Sequence, residues 1–247
     1  MSVSVIIPVH NDAKYLKKSI DSALDQECVD DIIVVDDASN EENMEIVLDI
    51  HVEYFEVSYI RNEVNYGLSG SRNEGVHYAN GKWIVPLDCG DWFYPGGLDA
   101  LYESSQEGYA DVLYGNITDK HDTSHPKHHI AKPRPTITKE EFMSPVNPLF
   151  CSSLFKKEIW RKAGGYTMYP FSHYEDYSFW MKCFSVGAKF KYVDTLVYHH
   201  ENDGNSMLSE LHSNTNEYKK LARRSLEYGN NKKCYVPKFV NCKYIEI

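Results

Sequence analysis

Apolar positions along the chain change their period several times, and each change marks an element. Residues 3–9, VSVIIPV, form an unbroken apolar run that predicts a buried strand, and Pro8 near its end limits further ladder pairing. Tyr15, Leu16, Ile20, Ala23 and Leu24 then recur at helical spacing on one face, with Asn11 or Asp12 in place to cap the first turn. Residues 32–36, IIVVD, predict a second strand, and the polar run DDASNEEN turns into a helix. This order is a βαβ unit, whose handedness makes the two strands parallel neighbours. Residues 55–61 predict a third strand, 69–79 a helix ended by Gly81, and 82–87, KWIVPL, a strand aimed at Asp88. A turn at Pro95–Gly96 leads to a helix over 97–107 and a short strand over 111–115.

The second half is less regular. Residues 120–135 have no usable period and predict a surface loop, whose His121, His125, His128 and His129 are opportunistic metal ligands or simply polar loop residues. A short helix begins over 139–143, a strand covers 150–156, and a small helix over 158–164 ends at Gly164–Gly165. A helix from Glu175 carries Phe179, Trp180, Cys183 and Phe184 before Gly187, and KFKYVDTLVYH then forms a strand. Residues 207–228 predict a helix with Leu208, Leu211, Tyr218, Leu221 and Leu226 on one side, followed by a tail bearing Lys232, Lys233, Lys238 and Lys243. The fold class is α/β: a Rossmann-like, open, mostly parallel sheet flanked by helices, with its chemistry at the carboxyl ends of the strands.

Charge narrows the partners. The 26 Lys and Arg against 36 Asp and Glu give the 247-residue chain a formal charge of −10, which argues against a nucleic-acid partner. The N-terminal strand lacks the basic region and cleavage site of a secretory signal, and no apolar run approaches the roughly 20 residues that span a bilayer. A cytoplasmic protein is expected, with peripheral association at the inner face of a membrane left open. Six cysteines without a CxxC pair are expected to stay thiols, not to hold zinc.

Acidic and polar groups sit where strands should end: Asn11 after the first, Asp36–Asp37 after the second, Asp88 and Asp91 after the strand over 82–87. Converging carboxylates repel, and a divalent ion such as Mg2+ or Mn2+ removes that cost. The plain alternative is that each Asp is a turn residue. Arg72 and Asn73 lie on a stretch punctuated by Gly67, Gly70 and Gly75, where a guanidinium fork suits phosphate or a base edge. There is no GxGxxG after the first strand and no GxxxxGK[ST], which removes the main support for a dinucleotide or P-loop site. Glu175–Asp176 opens a helix, where an acid caps the first turn or, with His173, Tyr174 and Tyr177 around it, serves as a base. His199 and His200 end a strand, and either is a candidate metal ligand.

At these residues the chain resembles the inverting glycosyltransferases of family 2, which have the GT-A fold. The match runs over residues 2–206: SVIIPVHN, IIVVDDASN, and NYGLSGSRNEG, which is similar to the family's N-x-G-x-x-x-x-R-N-x-G segment. The resemblance implies a nucleotide-contacting loop at Pro8, His10 and Asn11, with Asp37 holding the base of a UDP-sugar and Asp36 beside it. It implies that Asn65, Gly67, Arg72 and Asn73 line the donor pocket. The family's D-x-D-D run is here Asp88–Cys89–Gly90–Asp91, so Gly90 replaces one acid. By resemblance Asp91 ligates Mn2+ or Mg2+, Asp88 reaches ribose or a metal-bound water, and His200 helps hold the metal. Glu175–Asp176 resembles the family's E-D pair, whose Asp is the catalytic base.

The implied organisation is a GT-A domain over 1–206, with a nucleotide-sugar half over 1–115 and an acceptor and base half over 116–206, then a helix and basic tail over 207–247. The implied reaction is a single inverting transfer in glycan or polysaccharide biosynthesis, because the Q-x-x-R-W element and membrane helices of processive synthases are missing. The acceptor is expected to be a glycan, a lipid-linked sugar or a small hydroxyl compound, met by residues 140–206, where Tyr169, Phe171, Tyr174 and Trp180 either stack on a sugar or belong to the core. Two other classes remain: a nucleotide- or glycan-binding domain of weakened activity, which Gly90 favours, and a sugar-phosphate nucleotidyltransferase. The latter needs a basic glycine-rich loop where this chain has PVHNDAKY.

Overall fold

A computed structural model describes residues 3–119, 129–133, 135–143, 147–168, 175–201 and 243–244. Its elements are β1 (Val3–Val9), α1 (Leu16–Leu24), β2 (Val29–Asp36), α2 (Glu41–Glu53), β3 (Ser58–Arg61), α3 (Gly67–Tyr78), β4 (Trp83–Pro86) and β5 (Trp92–Phe93). They continue with α4 (Gly97–Ser105), β6 (Val112–Asp119), β7 (His129–Ala131), α5 (Lys139–Met143), β8 (Leu154–Lys156), α6 (Lys157–Ala163), α7 (Glu175–Ser185), β9 (Phe190–His200) and β10 (Lys243–Tyr244). All strands join one sheet in the order β10-β3-β2-β1-β4-β8-β6-β9-β5, with β7 on β6. Pairing is parallel through β3-β2-β1-β4 and again at β6-β9, and β8 is the antiparallel link between those two parts.

The sheet is covered on both faces, which is why its central strands read as continuous apolar runs. Val5, Ile7, Leu16, Ile20, Val34, Val47 and Leu98 form one core layer, with α1, α2 and α4. Ile6, Val35, Ile84, Val76, Phe155, Phe179 and Trp180 form the other, with α3, α5, α6 and α7. Gly75 sets how closely α3 approaches the sheet, because a Cβ there would come within 2.3 Å of Ile6 Cγ2.

The strand order reverses at the seam between β1 and β4, the place where an open α/β sheet leaves a cleft. The β1–β2 ladder continues to Val9↔Asp36, whereas the β1–β4 ladder stops at Ile6↔Pro86. Pro8 and Pro86 supply no N–H to extend it. The residues after β2 and β4 therefore leave the sheet on either side of this seam.

Several expectations are corrected. Neither Asn11 nor Asp12 caps the helix that follows: Asn43 Oδ1 accepts from Ala13 N at 3.0 Å, and Asn11 Oδ1 accepts from Asn40 N at 2.8 Å. Leu24 is 40% exposed, while Ser19 takes a buried place on the stripe because its hydroxyl donates to Asp91 O and accepts from Gly90 N. The helix α3 starts at Gly67, ahead of the expected Ser69, and its C-cap is Ala79, not Gly81. The stretch expected as loop contains β7, paired antiparallel to β6, and the short strands β5 and β10 were not foreseen. The helix expected over 207–228 lies outside the described residues, as do His121, His125, His128, Tyr169, Phe171, His173 and Tyr174. Trp180 is fully buried and belongs to the core. No helix among the described residues is long and apolar enough to cross a membrane. Cys28, Cys89, Cys151 and Cys183 are free thiols.

Candidate active site

One wall of the cleft is built around Asp37. Its backbone N donates to Val9 O at 2.8 Å, and its Oδ1 accepts from Asn62 Nδ2 at 2.7 Å and Tyr66 N at 2.9 Å. No described residue donates to Oδ2. His10 Nδ1 lies 2.7 Å from Asp37 O. A carbonyl only accepts, so Nδ1 carries the proton and Nε2 is an acceptor, which matches the amides of Asn11 and Asn65 at 3.0 and 3.1 Å. Gly67 N in turn donates to Asn65 Oδ1, tying this loop to the start of α3. His10, Asn11, Asp37, Asn65 and Gly67 thus converge.

Asp36 and Pro8 do not join them. Asp36 is 3% exposed, its Oδ1 accepts from Ser39 N, and its Oδ2 pairs with Arg61, which also donates to Ser39 O. It is the strut of the turn that presents Asp37. Pro8 is buried within β1 and acts by ending the seam.

Three consecutive residues of α3 point in three directions and tie the cleft together. Ser71 Oγ meets Asn62 Nδ2 at 3.4 Å, on the Asp37 side. Arg72, 1% exposed, donates from Nη1 to Glu175 Oε1 at 2.7 Å and from Nη2 to Asp88 Oδ1 at 2.6 Å, with Cys151 Sγ at 2.9 Å. Asn73 is equally buried: its Nδ2 donates to Tyr166 O, and its Oδ1 accepts from Trp160 Nε1 and Tyr166 N. Arg72 and Asn73 are thus both buried and held by the protein's own groups. Arg72 is the bridge between the Asp88 turn and α7, and Asn73 pins the turn after α6. Asn73→Leu should leave Trp160 Nε1 and both backbone groups of Tyr166 unsatisfied in the core, a loss on the order of 3 kcal/mol. Urea unfolding should show it as a lower midpoint at unchanged slope.

After β4, residues 88–91 make a tight turn in which Asp91 N donates to Asp88 O at 2.9 Å. Gly90 sits at φ 105°, a conformation that L side chains rarely adopt, and its N–H donates to Ser19 Oγ. The glycine that interrupts the acidic run is therefore demanded by the backbone of this turn. Asp91 is buried, with both carboxylate oxygens at 3.1–3.2 Å from His200 Nδ1 and Oδ1 accepting from Glu201 N at 2.9 Å. Burial pushes its pKa up to about 6, against the lowering effect of His200. His199 instead is fully buried, stacked on Trp92 at 3.9 Å and bonded to Thr118 at 2.6 Å. Of the two histidines only His200 stands at the cleft.

Among the described residues no three His, Cys, Asp or Glu side chains converge as a metal cage. Asp91 and His200 lie side by side, and a buried carboxylate that is costly to ionise alone is one that a divalent ion would stabilise. That donor set fits Mg2+ or Mn2+ completed by substrate phosphate oxygens.

The far side of the cleft carries the acid pair at the start of α7. Glu175 is 7% exposed and held by Arg72, whereas Asp176 is partly exposed. Asp176 Oδ1 accepts from Tyr177 N at 2.6 Å and Oδ2 from Asn147 Nδ2 at 2.9 Å. Burial first, and the neighbouring Glu175 second, push its pKa up to about 7, with Arg72 opposing them. A carboxylate poised there ionises readily at neutral pH and still accepts a proton. Asn62, Asn147 and Cys151 were not anticipated as part of this site; an isolated Asn or Cys in a loop carries no sequence signal.

Known proteins resemble this chain in sequence and in fold. Residues 4–178, more than half of the chain, match glycosyl transferase family 2. The chain belongs to this family. It is 35% identical over 117 residues to the GalNAc(5)-diNAcBac-PP-undecaprenol beta-1,3-glucosyltransferase of Campylobacter jejuni, covering 46% of this chain and only 37% of that longer protein. Its fold overlays S. aureus TarS 1–349 in complex with UDP-GlcNAc with a TM-score of 0.71 at 16% identity, covering 93% of this chain and 66% of that one. It also overlays the mannosyltransferase PcManGT of Pyrobaculum calidifontis in complex with GDP-Man and Mn2+, with a TM-score of 0.63 at 14% identity, covering 84% and 59%. These overlays show the GT-A fold for this family 2 chain.

Proposed function

We propose that this family 2 chain is an inverting, metal-dependent glycosyltransferase that moves a sugar from a nucleoside-diphosphate sugar, with UDP as the nucleotide, to an acceptor hydroxyl. The observation that carries this is Asp176: a partly exposed carboxylate at the cleft, its pKa pushed up to about 7, joined through Glu175 and Arg72 to the Asp88 turn. Asp37 Oδ2 is open to accept an N–H from the base, and His10, with both ring nitrogens engaged by the protein, offers only its ring face and edges to a ligand. Asp88, whose side chain is 30% exposed, reaches ribose from the Oδ2 side. Asp91 and His200 would hold the divalent ion, which when bound neutralises charge on the diphosphate.

Asp176 takes the proton of the acceptor hydroxyl as that oxygen attacks the anomeric carbon from the side opposite the nucleotide. A single displacement of this kind inverts the configuration, so an α-linked donor gives a β product. The names of the relatives support the donor and acceptor classes: UDP-GlcNAc in TarS, and an undecaprenol-linked sugar for the Campylobacter enzyme. A lipid-linked or polymeric glycan acceptor is the corresponding expectation here. A weakened binding domain rests on Gly90 alone, and Gly90 answers to the geometry of its turn.

Asp91→Ala should abolish the Mn2+-dependent part of UDP binding, seen by titration calorimetry as an affinity at least about 10-fold weaker with Mn2+ and unchanged without it. Equal affinity of variant and parent in Mn2+ would remove Asp91 from the metal site.

A further inference from the structure

Asn147 has a place in the site that no motif assigns. It lies ahead of β8, and its amide is held at both ends. Its Oδ1 accepts from Leu149 N at 3.3 Å, and its Nδ2 donates to Asp176 Oδ2 at 2.9 Å. The orientation of this amide is not arbitrary: turned over, it would set oxygen against carboxylate and N–H against N–H. The helix α5 that precedes it in the chain is also tied to α7, where the Tyr177 hydroxyl donates to Phe142 O.

With Oδ1 bonded to Tyr177 N, the Asn147 contact means that both Asp176 oxygens are held and the carboxylate plane is fixed. The other groups around it are Glu175 on its own helix, Arg72 from α3, Asp88 from the turn after β4, Cys151 from the stretch before β8, and Tyr166 from the turn after α6. Most of these are already engaged: Arg72 with Glu175 and Asp88, and Cys151 with both Arg72 and Asp88. Among the described residues, Asn147 Nδ2 is the side-chain donor bonded to Asp176.

We propose that Asn147 is the positioning residue of the base: it orients Asp176 toward the acceptor hydroxyl and favours its ionised form by donating to Oδ2. The inference rests on the assignment of Asp176 as the base. A hydrogen bond to the charged form favours that form, so its loss moves the ionisation of the base upward.

The test is the pH dependence of kcat at saturating donor and acceptor for Asn147→Ala and the near-isosteric Asn147→Asp, with the donor KM and with Asp176→Asn in parallel. In Asn147→Ala the acid limb should move up by about one pH unit, so that kcat at neutral pH falls up to about 10-fold and recovers toward the alkaline plateau. The donor KM should stay within about 2-fold, because no donor contact is removed. Asn147→Asp sets a like charge beside the base and should move the limb further. A limb that stays in place while kcat falls equally at every pH would reduce Asn147 to a scaffold residue, and an unchanged kcat would remove it altogether. If Asp176→Asn itself keeps its turnover, the parent assignment fails; if that variant is inactive and the limb is unmoved, only the positioning role fails.

Discussion

Asp176→Asn should lower the rate of sugar transfer by about 100-fold or more while UDP binding with Mn2+ stays within a few-fold of the parent, since loss of a positioned base commonly costs that much. Asn is nearly isosteric, Asp176 lies apart from the Asp37 wall, and Arg72 remains bonded to Glu175 and Asp88. The stability of the same variant should change with pH relative to the parent, on top of a constant cost from the amide N–H that it sets against Tyr177 N or Asn147 Nδ2. A carboxyl whose folded pKa is raised from 3.8 to about 7 favours the fold while protonated and loses that contribution as pH rises through about 7. Above that range the parent carries the cost of an ionised, partly desolvated carboxylate and the amide does not. Relative to the parent, Asp176→Asn should therefore melt progressively higher as pH rises from 3.8 through about 7. Single-turnover kinetics and melting curves across pH check both halves. Turnover near the parent's, or a melting difference independent of pH, would contradict the assignment of a strained base.

The parts of this site legible in the sequence were those fixed by backbone position. Strand ends are announced by apolar runs that stop, so Asp37, Asp88 and Asp91 were placed at one rim from period alone, and the structure sets Asp88 and Asp91 in a single turn. What stayed hidden was direction. Arg72 and Asn73 are neighbours on one helix, but both are buried, and which partner each meets depends on residues 16 to 103 positions away. The guanidinium fork of Arg72 suits phosphate or a base edge by its type, and here it bonds two carboxylates and a thiol. The capping of α1 failed for a similar reason: the acceptor for Ala13 N arrives from α2, through Asn43. The two-residue strands β5 and β10 are shorter than any period that could reveal them.

Gly90 meets a backbone requirement that its place in the acidic run does not announce. In sequence it was a missing acid and an argument for lost function. In the structure its φ of 105° and its N–H bonded to Ser19 Oγ make it the residue that lets Asp91 turn inward to His200. The turn trades an acid for a backbone shape that buries the remaining one.

Arg72→Met should be the most destabilising single change in the cleft. The guanidinium is 1% exposed and neutralises Glu175, whose side chain is 10% exposed, and Asp88, at 30%. Removing one partner of a buried ion pair strands the other charge, which typically costs about 3–5 kcal/mol. For a chain of this size that corresponds to a fall in melting temperature of roughly 6–20 °C. The Glu175 end should dominate, because Asp88 is wet enough to be screened by solvent. Two controls separate charge from shape. Arg72→Lys keeps the charge but replaces a fork by one ammonium that cannot bond Glu175, Asp88 and Cys151 together, so it should recover only part of the loss. Adding Glu175→Gln to Arg72→Met removes the stranded charge and should restore stability above the single variant. Equal melting of the single and double variants would mean that packing against Tyr166, whose ring centroid lies 5.6 Å from the guanidinium carbon, and not charge, is what Arg72 contributes.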